Sequence, residues 1–173
     1  MSSRAIVNNS FARSVFSFPN PVNEYAARMV AGMVVALSLT IILADQWWLL
    51  IVLGYGFLAR VATGPTLSPM GLLATRVLVP VLGNPERPTA GPPKRFAQAV
   101  GLVFSAIALV LYFVVGSTIG AKGVLSVLVL FATLESVAGF CAGCFVFSYL
   151  MRWGVIPESV CRECLVPVQS LTE

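Results

Sequence analysis

Long apolar runs, each bounded by charged or turn-forming residues, constrain this chain more than anything else in it. The clearest begins after Asn20-Pro21-Val22-Asn23-Glu24 and continues from Tyr25 to Ala44, stopping at Asp45-Gln46. Twenty helical residues rise ~30 Å, the thickness of a bilayer's hydrocarbon core. Pro21 suits a first helical turn, Asn20 can cap the free amides and Glu24 complements the positive end, so a helix is expected to start there. Composition agrees with this reading, since 58% hydrophobic and 10% charged residues, with mean hydropathy +0.90, lie far from the ~45–50% apolar and ~25% charged content of soluble domains. Such a chain is expected to be solvated by lipid.

Trp47 and Trp48 follow at once, where interfacial indoles belong. The next run reaches Ala62 and carries Arg60, which lies ~20 Å from Trp47 along a helix and can snorkel to the second interface or hold an acidic partner inside the bundle. Gly64-Pro65 then makes a turn, and Ser68-Pro69 is a helix start. The apolar stretch after it is too short to span, carries Arg76 and meets Pro80, so it is expected to lie in the interface. Gly83 to Pro93 reads as loop. A third run starts at Phe96 after Lys94-Arg95, Gly116 to Gly120 turns, and a fourth extends to Tyr149.

The expected architecture is all-α: a polytopic membrane protein with four transmembrane helices in two hairpins and one short interfacial helix. Spans are placed at about 25–44, 47–63, 96–116 and 122–150, with the interfacial helix at about 69–82. Residues 1–24 form a cytoplasmic arm with no secretory-signal core, and 151–173 form a cytoplasmic tail. With both termini inside, Arg4, Arg13, Arg28, Arg60, Arg76, Arg87, Lys94, Arg95, Arg152 and Arg162 are all cytoplasmic and Lys122 alone is outside, as the positive-inside rule requires. That bias places both termini on the cytoplasmic side of the membrane. The scattered cations form no stripe, so nucleic acid is not an expected partner.

Chemistry is sparse. The chain has no histidine, and its four cysteines form two CxxC pairs, Cys141-Ala-Gly-Cys144 and Cys161-Arg-Glu-Cys164. Read as one continuous helix, the fourth span puts Glu135 on a small-residue strip with Ala132, Ala138, Gly139 and Gly143, about halfway through the core, while both cysteines of the first pair point elsewhere. Glu135 is then a protonated packing residue, a partner for Arg60 or a proton-relay group. General-base help from Glu135 to a cysteine would require the glycines to break the helix.

The cysteines admit three readings. In the first, the pairs cycle between dithiol and disulfide or carry sulfur, with Cys161 attacking first and Cys164, Cys141 and Cys144 resolving or relaying. Cys161 is favoured because Pro157-Glu158 and Ser159 read as a new helix start, whereas Cys144 sits near a helix C-terminus, where the dipole disfavours thiolate. In the second, Cys141, Cys144, Cys161 and Cys164 bind zinc with ribbon-like spacing. In the third they only pack. The corresponding functions are a thiol-redox or sulfur-handling component, a structural or scaffold subunit, and, from Glu135 alone, a small transporter.

Phe18-Pro-Asn-Pro-Val-Asn-Glu24, Arg60 with Gly64-Pro65 and Ser68-Pro69, Gly91-Pro-Pro-Lys-Arg-Phe-Ala-Gln98, Glu135, Gly139-Phe-Cys-x-x-Cys144 and Cys161-x-x-Cys164 together resemble the DUF4395 family of bacterial membrane proteins. The resemblance runs from about Phe18 to Val168. It implies the membrane topology and, as partners, a thioredoxin-like or sulfurtransferase protein. Other membrane subunits or a second copy are further expected partners beside the bilayer.

Overall fold

The computed structural model describes residues 20–155. Its first helix, α1 (Glu24–Ala44), starts where the sequence changes character, but Asn23 is its cap: the side-chain oxygen accepts the Tyr25 N–H at 3.0 Å. Asn20 serves elsewhere, accepting from the Gly91 N–H at 2.9 Å. Between them lies a feature the sequence did not announce, a two-residue antiparallel ladder of β1 (Val22–Asn23) with β2 (Pro88–Thr89). Glu24 N–H bonds to the Arg87 carbonyl at 2.9 Å, and its carboxylate pairs with Arg87 at 3.2 Å. These bonds tie the start of α1 to the start of a distant helix that begins at Gly91.

Asp45 ends α1 in a left-handed conformation, and α2 (Leu49–Thr63) returns. Ser68 caps α3 (Pro69–Val81), accepting the Gly71 N–H at 3.3 Å. The middle of α3, Ala74–Leu78, widens to a π turn in which Val79 N–H reaches the Ala74 carbonyl. Pro80 explains the widening: its ring would collide with the carbonyl four residues back, and an extra residue in the turn moves that carbonyl away.

The helix α4 (Gly91–Phe113) starts earlier than the expected span at 96. Pro92 and Pro93 fall in its first turn, where no N–H is needed, so the proline-rich loop ends as a helix start. Lys94 is thereby inside the helix instead of preceding it. A four-residue return through Gly116 (φ 74°) leads to α5 (Thr118–Ala138), with Ser117 accepting from the Gly120 N–H.

The expected fourth span, 122–150, is two helices. Gly139 adopts φ 69° and closes α5, with Phe140 N–H returning to the Leu134 carbonyl at 3.2 Å. Left-handed backbone is the ordinary helix stop and favours glycine. A separate helix, α6 (Ala142–Arg152), follows and lies against α4, where Gly143 packs on Ala97 and Phe147 on Phe96.

The core is formed by α1 against α5 and α2 against α4, with Val34, Ile41, Leu50, Leu53, Phe57, Leu125 and Leu128 buried along the bundle. Three described helices, α1, α4 and α5, are long and apolar enough to cross a membrane; α2 and α3 are shorter. Of the apolar windows in those three, only 33%, 17% and 22% of residues are buried, so most of their residues are at least partly exposed. Leu43, Val103, Ile119 and Leu130 are among the exposed ones. Water does not tolerate a contiguous apolar surface of that extent; lipid does.

Candidate functional site

Charged groups divide between the two ends of the bundle. At one end Lys122 pairs with Asp45 at 2.8 Å beside a stacked Trp47–Tyr112 pair. At the other, Glu24, Arg28, Arg60, Lys94 and Glu135 come together where α1 and α4 begin and α2 and α5 end.

Glu135 is not halfway along its helix. Because α5 begins at Thr118 and stops at Ala138, Glu135 is in the last turn, at the same end as Arg60. Its ion-pair partner is Lys94 at 2.8 Å, with side chains 14% and 7% exposed. Arg60, 4% exposed, feels the Glu135 charge but bonds to neutral groups: Nε donates to Gln98 Oε1 at 2.7 Å and Nη1 to Ser68 Oγ at 3.4 Å, beside Met70 Sδ at 3.6 Å. Its guanidinium also lies over the Phe57 ring, 4.6 Å from the centroid. It therefore does not snorkel; it is held inside the bundle.

Lys94 and Gln98 were missed as site residues: Lys94 because it stood between the proline-rich loop and the expected span at 96–116, Gln98 because it was read only as part of that span. A signal was present. Lys94, Gln98, Gly101, Ser105 and Ala108 recur at intervals of three and four, a strip of polar and small residues along an otherwise apolar helix. Arg28 was also missed: Nε donates to the Ser136 carbonyl at 3.1 Å and Nη2 to the Val137 carbonyl at 2.7 Å. A cation thus satisfies the carbonyls left free where α5 ends, as the helix dipole favours.

The break at Gly139 changes the setting of the first cysteine pair. Cys141 is the N-cap of α6 and its Sγ accepts the Cys144 N–H at 3.2 Å. The pair is therefore at the positive end of a helix, not near a negative end, which corrects the expected reactivity of Cys144. Cys141 and Cys144 are joined as a disulfide. The break also removes the reason for separating the cysteines from Glu135: both Cys141 and Glu135 line one cavity of about 260 Å³, with Gln98, Phe57, Phe96 and Gly143 on other walls.

Cys161 and Cys164 lie outside the described residues, so the second pair and half of the four-cysteine zinc set have no described position. Among the described residues no group of three or more His, Cys, Asp or Glu side chains is placed to hold a metal ion.

The fold is thus a helical bundle with an apolar exterior, compatible with a membrane protein, and a buried polar cluster at one end. More particularly, the chain belongs to the family described as domain of unknown function (DUF4395), whose model matches residues 22–152. No curated protein and no solved structure matches it.

Proposed function

We propose that this protein is a multispanning membrane component that exchanges electrons with thiol proteins at the cytoplasmic face, through Cys141 and Cys144. The observation that carries this reading is the CxxC pair at the start of α6, closed as a disulfide with Cys141 Sγ accepting the Cys144 N–H. Thiol–disulfide exchange needs one sulfur that can be reached and another that leaves well. Cys144 is half-buried and Cys141, at 9% exposure, is more enclosed. The partner's thiolate attacks Cys144 Sγ, the S–S bond breaks, and Cys141 leaves as a thiolate stabilised by the Cys144 N–H and the helix end.

The partner's second thiolate then attacks its own sulfur in the mixed disulfide and releases Cys144. Two electrons pass to Cys141 and Cys144, which take up two protons, and the partner's dithiol becomes a disulfide. The Lys94–Glu135 pair, with Glu135 on the cavity wall that also carries Cys141, passes the proton to Cys141. The partner is a thioredoxin-like or sulfurtransferase protein, and Cys161 and Cys164 form a second pair in the same relay.

In this reading the chain crosses a bacterial inner membrane four times, α2 being accommodated by local thinning, and both termini are cytoplasmic. Helix α6, ~16 Å long, is too short to cross and lies at the inner interface. The polar cluster and the cysteines then share the cytoplasmic end. Thiol alkylation in native membranes, before and after reduction, tests the chemistry: Cys141 and Cys144 should be protected until reduced, and Cys141→Ser or Cys144→Ser should leave the remaining cysteine of the pair open to alkylation without reduction. Thiols that stay unchanged through oxidant and reductant alike would sink the reading.

A further inference from the structure

A second cavity, of about 220 Å³, lies on the other side of Gln98 and is bounded by Arg60, Lys94, Thr75 and apolar groups including Ala26 and Ala27. Two observations at this cavity are unexplained by the cysteine chemistry. First, Arg60 Nη2 is buried and, among the described residues, has no hydrogen-bond partner. Second, among the described residues the buried charges do not balance. Arg60 and Lys94 bring two positive charges and Glu135 one negative, and Glu135 is bonded to Lys94. Among the described residues Arg60's hydrogen-bond partners, Gln98, Ser68 and Met70, are neutral. A buried ion without a full counter-charge is strongly disfavoured, whether the surroundings are protein or lipid.

From this imbalance we infer that the cavity binds a small monocarboxylate, its carboxylate accepting from the Arg60 guanidinium and the Lys94 ammonium and its carbon chain lying along Ala26 and Ala27. One negative charge brings the cluster to neutrality; a dianion such as sulfate would reverse its sign in an apolar setting. A planar two-oxygen head matches guanidinium donors. The donors are gathered at one side and the remaining wall is largely apolar, which suits a head with a short tail. The volume is below the ~300 Å³ of ordinary ligand pockets, so the ligand is small. A carboxylate of this kind comes either from water, as a short-chain acid, or from the bilayer, as the head of a fatty acid.

The test uses the full chain in nanodiscs of zwitterionic lipid. Thermal unfolding is followed while sodium butyrate, sodium chloride or butanol is added at matched ionic strength, and in a parallel arm with palmitate in the disc. Because a ligand that binds only the folded state stabilises it, butyrate should raise the melting temperature saturably, and chloride and butanol should not. A saturable rise with palmitate and none with butyrate assigns the carboxylate to the bilayer; butyrate acting alone assigns it to the aqueous phase. Arg60→Gln should abolish the rise. Ala27→Leu, which fills the cavity and leaves both cations in place, should abolish it too and keeps the test decisive where Arg60→Gln does not fold. An equal rise with chloride, no rise with either acid, or an undiminished response in Ala27→Leu overturns the assignment.

Discussion

Removing the Lys94 ammonium while keeping Glu135 isolates the energetics of the polar cluster. At 2.8 Å the two unit charges attract by about 6 kcal/mol at an effective dielectric constant of about 20. Most of that is offset by the cost of taking both groups out of water, so the pair contributes little net stability, but an orphaned carboxylate keeps its full desolvation cost. Lys94→Met should therefore destabilise by about 3–5 kcal/mol. Pairing the change with Glu135→Met removes the orphan, and the double variant should be more stable than the Lys94→Met single by at least about 2 kcal/mol. Unfolding free energy in mixed micelles, read by the fluorescence of the three tryptophans, measures all four corners of the cycle. A coupling energy under about 0.5 kcal/mol would show that the two residues act independently and would refute the pairing.

The close crossing of α6 on α4 should not accept a side chain at Gly143, where a Cβ would lie 2.6 Å from the Ala97 Cα; Gly143→Ala should cost about 1–3 kcal/mol in the same unfolding assay. Gly123→Ala is the matched control, since nothing lies within 4 Å of its Cβ, and helix propensity makes it neutral or stabilising by up to about 1 kcal/mol. At Gly101 a Cβ would overlap the Phe57 ring, so Gly101→Ala should be destabilising and Phe57→Leu in the same chain should recover part of the loss. For topology, a reporter fused after Gln46 should read outside and one fused after Arg87 inside; the reverse pattern would overturn the proposed orientation.

The helical class, the apolar exterior and the limits of α1 are legible in the sequence because each depends on local composition. Asp45, Gly64 and Ser68-Pro69 mark ends by backbone preference alone, and the structure follows them. The start of α4 is different. Pro92-Pro93 is compatible both with a loop and with a first helical turn, and only the long-range ties of Gly91 to Asn20 and Glu24 to Arg87 select the helix. That choice decides whether Lys94 is a boundary charge or an interior one.

Gly139 presents the same ambiguity with larger consequences. A Gly-x-x-x-Gly step in an apolar run is equally a close-packing strip in a continuous helix and a left-handed stop followed by a new start. What tips the balance lies elsewhere in the chain: the Arg28 guanidinium on the Ser136 and Val137 carbonyls compensates the end of α5, and Ala97 offers α6 a surface that only glycine can approach this closely. A residue contributed by α1 thus determines that Cys141 begins a helix instead of occupying the middle of one. Arg28, which touches neither cysteine in the hydrogen-bonding pattern, is accordingly a positioning residue for them. Its replacement by Met leaves two carbonyls unsatisfied beside the break. The Cys141–Cys144 midpoint potential should then shift in Arg28→Met, as the helix start loosens, and be restored in Arg28→Lys, whereas a role confined to overall stability would lower the melting temperature and leave the potential where it was.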